Sequence, residues 1–388
     1  MKQLKILIVL FVMPLAVWAG GVPKLGEPLA KAIVKSEMGR HPEAWAIDGA
    51  KRPKWSYALG LELLAMHDWL PKEEWVRYAR TYADALIDST GTIGGYKMES
   101  YKLDDINSGR VLFLLHDHTG DARYMTALQT LRQQMKQQPR CPERGYWHKQ
   151  IYPQQMWLDG LYMAQPFQTI WAYRYLDGFD RREALADVEY QFELIYHHTL
   201  CPECGLLHHA WDAAAEQPWA DQTTGMSPHA WGRAEGWYLM ALVDVLELYD
   251  CAALKTILRD IATKLLRLQD RQTGTWQQVL DCTGREGNYQ EMTCTAMFAY
   301  AFLKGVRLGV LDKRFRHYGE KALEGIRQNF MSVDKKGLVS LHNCCAVAGL
   351  SADRDGSYEY YLREPRIDND PKGIGPLLMA LKEYERVR

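Results

Sequence analysis

Asp159 is the residue in this chain with the clearest means to move a proton. It sits just inside the start of a helical pattern, in Tyr152-Pro153-Gln154-Gln155-Met156-Trp157-Leu158-Asp159-Gly160-Leu161-Tyr162-Met163-Ala164. Trp157, Leu158 and Leu161 give it apolar walls, and a second carboxylate nearby would add like charge. Both effects raise a carboxyl pKa toward the range of a general acid/base. The competing reading is an acid in a first helical turn, favoured there by the helix dipole. Asp104 and Asp105 precede Ile106-Asn107-Ser108-Gly109. Asp104 is the candidate partner acid, although either residue could serve as a helix cap.

Three further groups belong to this chemistry. His229, Arg233 and Trp237 are spaced i, i+4, i+8, which predicts one helix face. Arg233 offers a planar fork suited to a carboxylate; the alternative is a buried arginine paired with an internal acid. His208 and His209 adjoin Trp211 and Asp212, and neighbours in an extended loop point opposite ways, so one of the two faces a site. Seven of the 13 tryptophans fall between Trp147 and Trp237. Flat rings beside carboxylate, imidazole and guanidinium groups suit a sugar acid, with the rings stacking on its C–H faces. No phosphate loop, nucleophile elbow or HExxH motif is present.

The elements that must hold these residues are helical. Apolar residues recur at three- and four-residue spacing, predicting twelve helices over 26–38, 54–69, 72–88, 104–119, 121–137, 155–176, 180–198, 229–249, 252–270, 290–309, 311–330 and 371–386. Ser227-Pro228 reads as a cap followed by proline at the first helical position. The helices come in pairs separated by loops rich in Gly, Trp and Tyr. Six pairs make an all-α fold, an α/α six-hairpin barrel, with 155–176 and 229–249 inside and the more charged 252–270 and 311–330 outside. Loops 138–154, 199–228 and 331–370 gather at one mouth, where function usually sits.

Residues 1–19 read as a signal peptide: Lys2 and Lys5, an apolar run from Ile6 to Val17, then Val17-Trp18-Ala19. The expectation is an exported protein, periplasmic or secreted, with residues 20–388 forming one catalytic domain. Charge is near neutral, 47 Lys+Arg against 48 Asp+Glu, which argues against nucleic-acid or membrane-surface partners. Eight cysteines are present. Cys201-Pro202-Glu203-Cys204 followed by His208-His209 has the outline of a metal knuckle, but its downstream pair would be the adjacent Cys344-Cys345, poor spacing for zinc. A loop disulfide or free thiols are preferred, and neither metal nor cofactor is expected.

The chain resembles glycoside hydrolase family 105, the unsaturated rhamnogalacturonyl hydrolases, and more distantly the unsaturated glucuronyl hydrolases of family 88. The resemblance rests on Leu103-Asp104-Asp105-Ile106-Asn107-Ser108-Gly109-Arg110, Met156 to Met163, His209-Ala210-Trp211-Asp212, and Gly225-Met226-Ser227-Pro228 with Gly232 to Tyr238. Asp355 to Tyr361 and Asn369-Asp370-Pro371-Lys372-Gly373 also fit. These cover nearly the whole chain after residue 19. The resemblance implies an α/α barrel and a hydrolysis that begins by hydrating the vinyl ether of a 4,5-unsaturated uronic acid. Asp159 then occupies the acid/base position and Asp104 that of its partner. His209, Arg233 and Trp237 match active-site positions, with Arg233 on the uronate carboxylate and Trp237 on the ring. Asn107, Trp157, Trp211 and His229 complete the expected substrate-binding set. The partner is a small oligosaccharide with an unsaturated uronate end. Ala210, where the family often has Gly, and the paired cysteines depart from the pattern on the leaving-group side. The rival expectations are a glucuronyl hydrolase for glycosaminoglycan or algal fragments, and a non-catalytic carbohydrate-binding protein, which would not need an acid set among apolar walls. An epimerase would rely on a histidine pair, and a lyase on a Lys or Tyr base.

Overall fold

The structure, a computed structural model, describes residues 21–388. The expected signal segment lies outside the described residues. In chain order the helices begin with α1 (Glu27–Arg40), α2 (Tyr57–Met66), α3 (Lys72–Ala83), α4 (Asp104–Asn107), α5 (Gly109–Thr119) and α6 (Ala122–Gln137). A short strand β1 (Gln155–Trp157) leads into α7 (Leu158–Tyr175) and α8 (Gly178–Thr199). After β2 (Ala210–Asp212) come α9 (Gly232–Leu246), α10 (Ala252–Leu265), α11 (Met292–Arg307) and α12 (Arg314–Asn329). The C-terminal part contains β3 (Met331–Val333), β4 (Val339–Leu341), β5 (Cys344–Cys345), α13 (Tyr358–Arg363), β6 (Arg366–Ile367) and α14 (Pro371–Val387).

An inner ring runs α2, α4–α5, α7, α9, α11, α14, and closes where α14 packs on α2. Helices α1, α3, α6, α8, α10 and α12 pack behind it. This is the α/α barrel expected from the periodicity. Burial follows the same division. Every residue of α9 is buried, whereas α10 and α12 bury one stripe each. One apolar core extends from Leu29 to Leu381. No helix among the described residues is long and apolar enough to cross a membrane.

Four local departures from the predicted elements matter for the site. The helix expected over 104–119 breaks at Ser108, where α2 crosses it closely. A Cβ on Gly60 would stand 2.8 Å from the Ser108 Cα, and the Ser108 hydroxyl donates to the Ser56 carbonyl at 2.7 Å. Residues 155–157 form a strand rather than helix, because Trp157 pairs with Ala210 in an antiparallel ladder and Trp157 is the extended N-cap of α7. Ser227-Pro228 does not cap a helix; α9 begins at Gly232 behind an extended Trp231. Helix α13, inside the 331–370 segment read as loop, is capped by Ser357, whose side chain accepts from the Tyr360 N–H at 3.1 Å.

The inner helices share one direction. Tyr57, Asp104, Asp159 and Arg233 sit in the first turns of α2, α4, α7 and α9, while Glu291 and Asp370 cap α11 and α14. Their C-terminal halves reach the opposite end. There a 410 Å³ cavity is lined by residues including Arg110, Asp244, Tyr300 and Lys304. Asp244 pairs with Arg110 at 2.6 Å and with Lys304 at 2.8 Å, so that end carries a buried ionic cluster, with Nε and Nη1 of Arg110 left without a partner.

Candidate active site

The extended N-cap at Trp157 turns the first residues of α7 toward the mouth of the ring. Asp159 Oδ2 stands 3.3 Å from His209 Nε2, and neither atom has a hydrogen-bond partner elsewhere. His209 is fully buried, and its Nδ1 lies 2.8 Å from the Tyr361 hydroxyl. Burial, and then Tyr360 and Asp159, push the Tyr361 hydroxyl well above its ordinary pKa. Tyr361 therefore stays protonated and can donate to Nδ1, which would direct the His209 Nε2 proton at Asp159. The backbone locks the same arrangement: the Leu158 N–H donates to the His209 carbonyl at 3.1 Å, and the His209 N–H to the His229 carbonyl at 3.2 Å.

Asp104 is held differently. Lys149 Nζ lies 2.9 Å from its carboxylate and His148 Nε2 3.7 Å away. Burial would raise its pKa, but Lys149, His148 and Lys102 more than offset that and hold it at about 2. Its negative charge is thus matched by an ammonium rather than facing Asp159 alone. Burial opposes the Lys149 charge too, and Asp104 outweighs it. Burial lowers His148 to about 4, so its ring is neutral near pH 7. Both carboxylates act on His148 and Lys149, which ties the two acids to one mouth. Asp105 turns away: Lys102 lies 3.3 Å from it, and its carbonyl accepts from Trp55. Neither acid caps α4, whose N-cap is Leu103.

An aromatic wall flanks these groups. His148 stacks on Trp157 with centroids 4.7 Å apart and planes within 3°, and Trp157 on Tyr152 at 5.0 Å. Trp231 packs beneath, 4.8 Å from His209 and 5.9 Å from Tyr361. Tyr57 lies between the halves of the mouth, within the fields of Asp104, Arg233 and Asp159.

The other expected residues are placed less uniformly. Arg233 is 1% exposed, and its guanidinium donates to the carbonyls of Cys345 and Ala346 with Glu291 3.9 Å away. That geometry anchors β5 to α9 through both Nη groups and leaves Nε buried without a partner. Trp237 lies a turn deeper, stacked on Tyr162 at 5.0 Å and 1% exposed. Asn107 is buried, its amide donating to the Tyr57 carbonyl at 3.4 Å. Trp211 takes the opposite face of β2 from Ala210 and stacks on His198 at 3.6 Å, away from Asp159. His229 precedes α9, so the single face expected for His229, Arg233 and Trp237 does not form; its Nδ1 contacts Asp281 at 2.6 Å. The downstream pair Cys344-Cys345 packs near Arg233 and Gln278, not near the Cys201 knuckle.

Four residues at the mouth were not singled out from sequence: Tyr57, His148, Lys149 and Tyr361. The first three sit at a helix start or in an irregular loop, where periodicity is silent. Tyr361 lies within the 355–361 stretch that carried the family resemblance, and only tertiary packing brings it to His209.

Residues 29–388 match the family model described as Glycosyl Hydrolase Family 88. The chain belongs to the glycoside hydrolase family 88/105 group. It is similar to a family 105 glycoside hydrolase of Clostridium acetobutylicum ATCC 824, with 38% identity, a TM-score of 0.86, and coverage of 92% of this chain and 99% of that one. It is 26% identical over 279 residues to the unsaturated rhamnogalacturonyl hydrolase YesR of Bacillus subtilis (strain 168), covering 69% of this chain and 72% of the relative. The unsaturated glucuronyl hydrolase of Bacillus sp. GL1 shares the fold, with a TM-score of 0.66 at 13% identity over 92% of this chain and 95% of that one. This member is a glycoside hydrolase of the unsaturated-uronate class, as the resemblance implied.

Proposed function

We propose that this enzyme removes the 4,5-unsaturated galacturonate from lyase-generated rhamnogalacturonan oligosaccharides by hydrating its vinyl ether. The observation that carries this reading is Asp159 facing His209 at 3.3 Å beside the His148–Trp157–Tyr152 wall. A protonated Asp159 gives its proton to C4, leaving a cation at C5 stabilised by the ring oxygen. Water adds at C5 and returns a proton to the Asp159 carboxylate. The hemiketal opens, and the sugar beyond C1 leaves as an alcohol. Asp104, ionised and clamped by Lys149, takes no part in proton transfer; it offers a fixed acceptor for a sugar hydroxyl and a negative charge near the C5 cation.

The substrate is an anion, and the mouth suits one. The first turns of the inner helices converge there, and their dipoles favour negative charge. Arg233 was the expected carboxylate partner, but its fork is engaged by main-chain carbonyls. Arg354 supports that role better. It makes no ion pair among the described residues, and a Cβ on Gly349 would lie 3.3 Å from its Nη1 and 3.5 Å from Trp157. Preference for rhamnogalacturonan over a glucuronide rests on the relation to YesR, which is nearer in sequence than the glucuronyl hydrolase of like fold.

The test is a panel of lyase-generated disaccharides followed by the ultraviolet absorbance of the C4=C5 bond. Unsaturated galacturonyl-rhamnose should lose that absorbance fastest, and its saturated counterpart should remain intact. Equal cleavage of the saturated sugar would overturn hydration; faster loss from unsaturated glucuronides would transfer the enzyme to the other substrate class. We further propose export, supported by the basic, apolar and small-residue order of residues 1–19. Expression in the native host and N-terminal sequencing of the exported fraction should give a chain starting at Gly20.

A further inference from the structure

The loop behind His209 has the makings of a metal centre. Cys201, Cys204 and His208 each offer a ligand atom, all within 4.8 Å of one another. The local chain is a tight knuckle. The Cys204 N–H approaches Cys201 Sγ at 3.4 Å, the Gly205 N–H donates to the Cys201 carbonyl at 2.8 Å, and Gly205 takes φ 71°, a conformation suited to glycine. Leu200 and Leu207 bridge across the hairpin that carries it. Two cysteines with two residues between them, on a turn that brings both sulfurs to one point, are a recurrent half of a zinc site.

His208 supplies the independent observation. It is 7% exposed, and its Nδ1 lies 2.5 Å from the Ser227 carbonyl. A carbonyl only accepts, so Nδ1 carries the proton and Nε2 carries the lone pair. That Nε2 is buried and has no hydrogen-bond partner. A neutral imidazole with one nitrogen fixed by a backbone carbonyl and the other left bare is the tautomer a metal-binding histidine needs. The neighbouring group His229, Asp281 and Cys282 also brings ligand atoms within 4.8 Å. It is already satisfied: Asp281 takes His229 Nδ1 at 2.6 Å and the Ala230 N–H at 3.0 Å.

We propose that Cys201, Cys204 and His208 bind a zinc ion that staples this loop. Exposed Glu203, whose Oε2 lies 3.2 Å from Cys201 Sγ, is the candidate for the fourth place. The site is structural. His208 and His209 are successive residues, so a metal held by one fixes the backbone that presents the other to Asp159. The same backbone accepts from the first residue of α7 through the His209 carbonyl.

The full chain is purified under reducing conditions, exposed to zinc, gel-filtered, and analysed for metal by mass spectrometry. About one zinc per chain is expected, with Cys201 and Cys204 shielded from alkylation. Replacement by Co²⁺ should give thiolate-to-cobalt charge-transfer and tetrahedral visible bands, a readout on the unmutated protein. His208→Gln and Cys201→Ser should lose these bands, and Cys282→Ser should keep them. A chain that retains no stoichiometric zinc and shows no cobalt bands with both thiols free overturns the proposal. A Cys201–Cys204 disulfide in the native protein overturns it too. Bands lost in Cys282→Ser but kept in His208→Gln would move the site to the other cluster and equally overturn it.

Discussion

Replacing Asp159 by Asn keeps the outline of the side chain and removes its transferable proton. General acid–base assistance is worth ~10²–10⁴-fold, so kcat should fall by that order while substrate binding persists. Asp104→Asn behaves differently, because it strips the partner from Lys149 and leaves a half-buried ammonium unmatched. Its loss should appear in stability as well as rate. Full activity in Asp159→Asn with a dead but well-folded Asp104→Asn would exchange their roles. A second pair of variants separates the arginines. Arg354→Gln should raise KM and leave the melting temperature near that of the parent, since Arg354 forms no ion pair among the described residues. Arg233→Lys should chiefly lower the melting temperature by releasing the carbonyls of residues 345 and 346. The reverse pattern would restore Arg233 to the carboxylate. At this scale the sequence was legible for the acid beside apolar walls, since Asp159 stands in a periodic segment. It was not legible for Lys149 or His148, because their irregular loop carries no spacing that aims a side chain.

At the scale of elements, much of the helical pattern was readable from the three- and four-residue spacing, and the errors have physical causes. Periodicity cannot see a three-residue strand, so 155–157 was absorbed into helix although its partner 210–212 lies over fifty residues away. That error moved Trp157 onto a helix face, whereas the ladder places it in the stacked wall. Likewise the i, i+4, i+8 spacing of His229, Arg233 and Trp237 presupposed a helix through 229, and the Trp231 turn removes it. The loop that leads into β2 carries a prediction for the knuckle. His208 offers its ligand atom to the Cys201 and Cys204 sulfurs within 4.8 Å, whereas His209 Nε2 meets Asp159 at 3.3 Å, so the knuckle holds the loop and the next residue faces the reacting sugar. A strong chelator should therefore lower the melting temperature while initial rates on a disaccharide stay within a few-fold of the untreated enzyme. Immediate and complete loss of rate, restored by zinc alone, would bring the metal into the reaction itself.

At the scale of the whole molecule, the barrel shelters titratable groups that shape its stability against pH in opposite directions. The barrel itself was legible, because six helix pairs with one apolar partner each have few other ways to bury their stripes. Which polar groups would end up inside it was not, since burial of a lone Glu or His leaves no periodic mark. His148, lowered by burial to about 4, binds its proton more readily unfolded, where the ordinary value is about 6.5. Stability from this residue is complete above about 6.5 and is lost as pH falls toward about 4, by roughly 3 kcal/mol if it acts alone. Glu235 is the opposite case. It is fully buried with both carboxylate oxygens lacking partners, and burial raises it to about 8. Folding there favours the protonated form, so stability is highest below the ordinary carboxyl range and declines as pH rises toward about 8. The two windows overlap from about 4.5 to about 6.5, where their slopes oppose, so urea unfolding should find a broad plateau there that falls away on both sides. Glu235→Gln, neutral at every pH, should flatten the alkaline limb and leave the acid one, and His148→Asn should do the converse. An alkaline limb as steep in Glu235→Gln as in the parent would mean that another buried acid, Glu62 beside Glu37 foremost, dominates it.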